Sequence, residues 1–250
     1  MQALILLMIA VLGACVGSFL NVLIFRIPRK EEFVRTPSHC MECGRRLQWF
    51  ELIPVVSWLL QKGRCRGCGS RLSPQYPVVE AANALAWLLT AQLFRQDPLR
   101  IALYCALFSL LLVIAFIDWR TFEIPAGLNL AIGVLGAVQL AADAANWRLY
   151  VIGLFSVSLV FLLLWFITGG AGIGLGDVKL VAAAGLLLGW PRMIPAILAG
   201  SFTGVVIHSL RMKKGAGRKL AFGPYLALGI WFSALFGEDL IVAYLGLFGL

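Results

Sequence analysis

The chain has 250 residues, of which 61% are apolar and 13% charged, with a mean hydropathy of +0.91. A soluble domain carries about 45–50% apolar and about 25% charged residues, so this excess cannot be buried in a core of this size and the bilayer has to solvate most of the chain. The formal charge of +9 then reads as loop asymmetry in a membrane protein and not as a nucleic-acid surface. The chain opens on an apolar run reaching Phe25, long enough to cross about 30 Å of hydrocarbon. No Lys or Arg precedes Arg26, so the run lacks the basic start of a signal peptide. The string Leu12-Gly13-Ala14-Cys15 resembles a lipoprotein cleavage box but lacks the same basic flank. Residues 1–25 are expected to be a retained first transmembrane helix.

Residues 26–77 form a polar, basic segment holding two CxxC pairs, Cys40-Met41-Glu42-Cys43-Gly44 and Cys65-Arg66-Gly67-Cys68-Gly69. The inner cysteines are separated by 21 residues, just past the usual zinc-ribbon spacing of about 15–20. Each pair ends in a glycine, which adopts positive φ without strain and so closes a tight turn presenting two thiolates. A four-cysteine zinc site on Cys40, Cys43, Cys65 and Cys68 is the leading expectation. Four thiolates leave no open coordination position, so the metal would be structural, stapling a domain too small to fold on its own apolar core. Arg45, Arg46, Arg64 and Arg66 would offset the cluster's negative charge. Two disulfides are the alternative, disfavoured in a reducing cytoplasm. Cys15 and Cys105 fall in apolar spans as packing residues, and His39 is expected to be a bystander.

Beyond residue 77, apolar runs bounded by charges or Pro/Gly clusters lie near 78–94, 99–117, 126–142, 149–168, 177–190, 193–210 and 221–237. With the first helix this predicts an all-α polytopic membrane protein of about eight transmembrane helices, with the small zinc-binding domain between helices 1 and 2. The sixth segment is short and Gly-bordered, suited to a tilted helix or one buried inside the bundle. Alternating sides place seventeen of the 21 basic residues with segment 26–77, including Arg211, Lys213, Lys214, Arg218 and Lys219, against four on the other side. That bias puts the zinc domain in the cytoplasm and the N-terminus outside.

An ionisable group inside a span costs roughly 2.5–3.5 kcal/mol on insertion scales and marks function by default. Glu80, Asp118 and Asp177 are such groups. By the alternating topology Asp118, ending the third segment, and Asp177, opening the sixth, lie at similar depth on the cytoplasmic side. Amide hydrolysis needs a base to activate water and an acid to protonate the carbonyl oxygen or leaving amine, so a carboxyl pair sharing one proton suits it. The run Gly169-Gly170-Ala171-Gly172-Ile173-Gly174-Leu175-Gly176 is almost bare of side chains, and around Gly174 and Gly176 it would let a peptide backbone approach Asp177. Its alternative role is a hinge or a close helix contact. Glu123 and Lys179 lie near enough in sequence to tune the pair.

Taken together, these residues resemble the bifunctional type IV prepilin peptidases, GxGD-type intramembrane aspartic proteases that are also N-methyltransferases. The resemblance runs from Gly17-Ser18-Phe19-Leu20-Asn21-Val22 and Arg26-Ile27-Pro28, through Leu47 to Pro54 and Tyr76-Pro77 to Glu80. It continues with Asp118, Ile124-Pro125, Gly174-Leu175-Gly176-Asp177 and Phe222-Gly223-Pro224-Tyr225. It implies catalytic aspartates at Asp118 and Asp177, zinc cysteines at the four positions above, and residues 78–250 as a transmembrane peptidase domain in a bacterial inner membrane. It implies prepilin or pseudopilin precursors as partners, with membrane lipid and no nucleic acid. Their short basic leader would be cut after a glycine at the cytoplasmic face, and the new N-terminus methylated from S-adenosylmethionine. Met41, where proline is common, and Ala126, where a polar residue is frequent, depart from the pattern without touching a ligand or acid. No G-x-G-x-x-G fingerprint is present, so the methyl donor follows from the resemblance alone. The rival readings are a proton-coupled transporter built on intramembrane carboxylates and a zinc-stapled scaffold without chemistry.

Overall fold

A computed structural model of the chain describes residues 2–213 and 220–249; Lys214, Arg218 and Lys219 of the expected cytoplasmic cluster lie outside them. The described residues are nearly all helical: α1 (Gln2–Arg29), α2 (Val56–Leu60), α3 (Gln75–Leu93), α4 (Pro98–Thr121), α5 (Ala126–Ala142), α6 (Trp147–Thr168), α7 (Leu175–Leu188), α8 (Trp190–Lys213) and α9 (Gly223–Gly246). Only isolated bridges, His39 with Arg46 and Arg64 with Arg71, represent extended pairing among them.

Each expected apolar segment lies in a helix. Among the described residues, five helices (α1, α4, α6, α8 and α9) are long and apolar enough to cross a membrane. The other three account for the difference from eight. α3 carries buried Gln75, Glu80, Asn83 and Thr90, which lower its hydropathy. α5 is apolar but has only 17 residues. α7 has 14 residues, a length of about 21 Å against about 30 Å of hydrocarbon. Its Leu180, Val181, Ala184 and Leu187 are buried, so this short helix is sheltered by protein on its apolar faces.

The chain divides into two compact units, the first ending at Val113 and the second beginning at Ile114. In the first, α1 lies along α3, and a Cβ on Gly17 would stand 2.7 Å from the Glu80 Cα, so only glycine allows this approach. Polar side chains tie the pair: Asn21 Nδ2 donates to the Tyr76 carbonyl at 3.2 Å, and Asn83 Nδ2 to the Gly13 carbonyl at 2.7 Å. Ser109 of α4 donates to Asn83 Oδ1 at 2.8 Å. Polar groups in an apolar medium find one another because no water competes for them. α1 runs past Phe25 to Arg29, where buried Arg26 turns back onto the carbonyls of Glu32, Thr36 and Pro37 at 3.0, 2.8 and 3.2 Å. That bond set shapes the exit into the cysteine-rich segment.

In the second unit α7 is central, packing on α5, α6, α8 and α9. α6 and α7 cross where Gly153 and Gly185 meet backbone to backbone, and α8 and α9 cross at Gly200 and Gly229 in the same way. Small residues let helices approach closely enough for backbone contact, which replaces the hydrophobic drive that lipid cannot supply.

Candidate functional site

Asp118 lies in the last turn of α4, and Asp177 in the first turn of α7. Both are buried, at 5% and 9% exposure, and they line one cleft of about 250 Å³ with Phe122, Glu123, Ile124, Gly174 and Gly176. Neither carboxylate forms an ion pair among the described residues; each is held by backbone. The Gly223 N–H donates to Asp118 Oδ2 at 2.9 Å, and the Gly174 N–H to Asp177 Oδ2 at 3.2 Å. Asp177 Oδ1 is buried with no protein partner, an orphaned acceptor in the cleft wall. An orphan of this kind is costly unless water or a ligand engages it.

The glycine-rich run ends in a defined shape. Gly174 is extended before α7 (φ −79°, ψ 147°), and a Cβ on Gly176 would touch the Ile124 side chain at 3.0 Å. Asn129 of α5 donates to the Gly176 carbonyl at 3.2 Å and anchors the loop. Two contributors escaped the sequence reading. Asn129 is one: a single amide in an apolar helix is its only signal. Gly223 is the other: it stood within the Phe222-Gly223-Pro224-Tyr225 string, but a backbone donor has no letter of its own. The helix α9 begins at Gly223 with Pro224 in its first turn, so the Gly223 N–H is one of the end donors without an intrahelical acceptor.

The four cysteines also come together. Their sulfurs lie within 4.8 Å of one another, and the Cys40–Cys68 pair is 3.9 Å apart. Four sulfurs about 2.3 Å from one zinc ion would be about 3.8 Å apart in a tetrahedron, so the spacing fits the metal. It is about twice a disulfide bond length. The two turns match: the Gly44 N–H donates to the Cys40 carbonyl and the Gly69 N–H to the Cys65 carbonyl, both at 2.9 Å. Gly44 and Gly69 have φ of 69° and 73°, the left-handed conformation expected of them. Backbone N–H groups of Cys68 and Gly67 pull the Cys65 thiol down to about 6, favouring thiolate. Arg45 lies beside Cys65 and pairs with Glu51 at 2.6 Å, which holds the Glu51 carboxyl below its usual range. Arg66 instead stacks on Phe50, 5.1 Å from the ring centre.

A larger cavity, about 360 Å³, lies in the first unit beside this cluster. Ser18, Phe25, Trp58, Tyr76 and Glu80 are in its wall, with Cys40 and Cys65 at its border with the cluster. Glu80 is 6% exposed and accepts the Val55 N–H at 2.6 Å. Val55 has a φ of 61°, strained for a β-branched residue. The Trp58 indole N–H is buried without an acceptor.

Helices suited to a bilayer, a buried carboxylate pair beside a bare glycine loop, and a four-thiol cluster define a polytopic membrane protein with paired intramembrane aspartates. Residues 11–94 match the bacterial peptidase A24 N-terminal domain, and residues 105–209 match the type IV leader peptidase family. The chain belongs to the type IV leader peptidase family. Among its relatives named prepilin leader peptidase/N-methyltransferase, one from Myxococcus xanthus is 35% identical over 81% of this chain and 62% of its own length. One from Pseudomonas putida is 31% identical, covering 96% and 93% of the two chains, and one from Xanthomonas campestris is 34% identical, covering 96% and 94%. No solved structure matches. Its apolar helices and its family make the chain a multi-pass protein of the bacterial inner membrane.

Proposed function

We propose that the chain cleaves the leader from type IV prepilin and pseudopilin precursors with Asp118 and Asp177, and then methylates the new N-terminus. The observation that carries the cleavage is the meeting of two buried carboxylates, from helices far apart in sequence, on one cleft edged by Gly174 and Gly176. One proton serves the pair. The ionised carboxylate takes a proton from water as its oxygen attacks the scissile carbonyl carbon, and the protonated one gives its proton to the carbonyl oxygen. Collapse of the adduct breaks the C–N bond as a proton returns to the leaving amine. Gly174 and Gly176 edge the approach of the substrate backbone to the pair; a Cβ on Gly174 would crowd Asp177, and one on Gly176 would crowd Ile124.

The four cysteines hold structural zinc, a role their spacing and the lowered Cys65 thiol fit. The methyl donor is S-adenosylmethionine, which supplies an electrophilic methyl to the neutral amine and leaves as a thioether. The buried Glu80 carboxylate gives the larger cavity a group that fits such a cation, and the orphaned Trp58 N–H gives it a donor for a ring nitrogen or ribose oxygen. The basic-residue bias orients the N-terminus outside and the cysteine domain and aspartates toward the cytoplasm, with lipid around the helices and no nucleic-acid partner.

The test uses the purified chain and a prepilin-like peptide followed by mass. Asp118→Asn and Asp177→Asn should each lower leader release by about 10²-fold or more. Release at the wild-type rate by either variant would remove the carboxylate mechanism.

A further inference from the structure

We propose that the 360 Å³ cavity of the first unit is the S-adenosylmethionine site, with Glu80 supplying the counter-charge for the sulfonium and Phe25, Trp58 and Tyr76 the faces for the adenine. The assignment rests on the methyltransferase reading above and adds its location. Cofactor-sized ligands occupy clefts of about 300–1,000 Å³ with mostly apolar walls and a few fixed polar groups, and this cavity has that makeup.

Glu80 is the central observation. Its carboxylate is buried, yet its protein partners, the Val55 N–H and the Ser18 side chain, are neutral. A buried carboxylate without a cation is costly, and a ligand carrying permanent positive charge removes that cost. Arg26, Arg29 and Arg71 and the acidic Glu31, Glu42 and Glu51 also line the cavity. The Arg26 guanidinium is engaged by three backbone carbonyls, Arg29 faces Glu31 at 3.9 Å, and Glu51 pairs with Arg45. That leaves Glu80 as the buried carboxylate of this wall with no cationic side chain against it among the described residues. A purely structural Glu80 would account for the strained Val55 but not for the empty volume beside it or for Trp58. The indole N–H of Trp58 is a buried donor in want of an acceptor, which a ring nitrogen or ribose oxygen provides. The rings of Phe25 and Tyr76, 5.7 Å apart and tilted, form an aromatic corner that suits both a flat base and a cation. Because Cys40 and Cys65 border the same cavity, zinc would hold its wall in place.

S-adenosylhomocysteine has the same adenosine and amino-acid parts but no sulfonium charge, so the two ligands isolate the role of Glu80. The full chain in detergent, with zinc content checked, is titrated with each. Glu80→Gln should weaken S-adenosylmethionine by about tenfold or more and S-adenosylhomocysteine by less than about threefold. Equal weakening of both ligands, or of neither, would overturn the role of Glu80. Should Glu80→Gln lose its zinc, Trp58→Phe serves instead: it keeps a ring, removes the N–H, and should weaken both ligands by about three- to tenfold. Unchanged binding there overturns the site. Ultraviolet irradiation of the wild-type chain with methyl-tritiated S-adenosylmethionine should label the peptide holding Trp58 or Tyr76. Label confined to residues beyond 113 sinks the location alone. Absence of any binding by the wild type sinks the methyltransferase reading with it.

Discussion

Gly223→Ala is the substitution whose effect the geometry defines most closely. A Cβ there would stand 2.7 Å from Asp118 Oδ2 and 3.0 Å from its Cγ. Restoring ordinary contact requires a shift of about half an ångström or more in the carboxylate or the start of α9. The two cannot part freely, because the Gly223 N–H donates to that same oxygen at 2.9 Å. Backbone strain is not involved, since Gly223 is not among the residues with positive φ. The cost therefore falls on the position of the acid and not on folding. Misplacement by about 1 Å can slow a reaction about 10²-fold, so leader release should fall by about ten- to a hundredfold. Gly174→Ala is the internal comparison: its Cβ would meet Asp177 Oδ2 at 3.3 Å, a milder contact, and should cost less than about tenfold. The assay is the initial rate of leader release from a synthetic prepilin peptide, with helical circular dichroism and zinc content as checks on folding. A Gly223→Ala enzyme as fast as wild type, or faster than Gly174→Ala, would refute the reasoning.

Removal of zinc by a chelator should loosen the cysteine-rich segment, read as faster proteolysis between residues 30 and 74 with the second unit's helices retained. Protons compete with zinc for the thiolates, so zinc loss should grow as pH falls, and zinc retained by a Cys40→Ser, Cys65→Ser double variant would count against the site. Glu51 is a folded-state carboxyl held low by Arg45, so the pair's contribution is complete above the ordinary carboxylate range and is lost as pH falls through the depressed value. Glu51→Gln should lower the melting temperature of that segment at neutral pH and flatten its acid limb; an unchanged acid limb would show that the pair contributes little. Asn129→Leu removes the donor to the Gly176 carbonyl, a loss of about 1 kcal/mol that should slow cleavage several-fold while zinc content stays constant.

The fold was legible where solvent dictates sequence. Apolar runs marked all the long helices because lipid tolerates little else, and the paired CxxCG turns marked the thiol cluster because positive φ selects glycine at residues 44 and 69. Hydropathy also found the helices that protein shelters, at 78–94 and 177–190, but did not separate them from full-length spans. α7 is short because its neighbours surround it, and α3 is less apolar because Glu80, Asn83 and Thr90 face protein rather than lipid. The compact unit ending at Val113 also joins α1, the cysteine-rich segment and α3, which sequence divides by polarity at residues 25 and 77. Polarity reports what each stretch is dissolved in, whereas compactness reports what it touches, so the two divisions answer different questions.

The aspartates were legible for an energetic reason: a carboxylate in an apolar span is expensive enough that its presence alone signals use. The groups that hold them carried no such mark. Gly223 looks like a residue chosen for backbone freedom, yet its φ is ordinary and its value lies in the space it leaves for Asp118 and the N–H it directs there. Glu80 gave the same signal as the aspartates and has a different situation, a buried carboxylate in a cavity wall whose own hydrogen-bond donors are neutral. A lone carboxylate has no partner with which to share a proton, so the two-acid chemistry assigned to Asp118 and Asp177 is not open to it. What a single buried negative charge does well is hold a cation. On the proposed reading, that physical difference between paired and solitary carboxylates separates a cleaving site from a binding site within one chain.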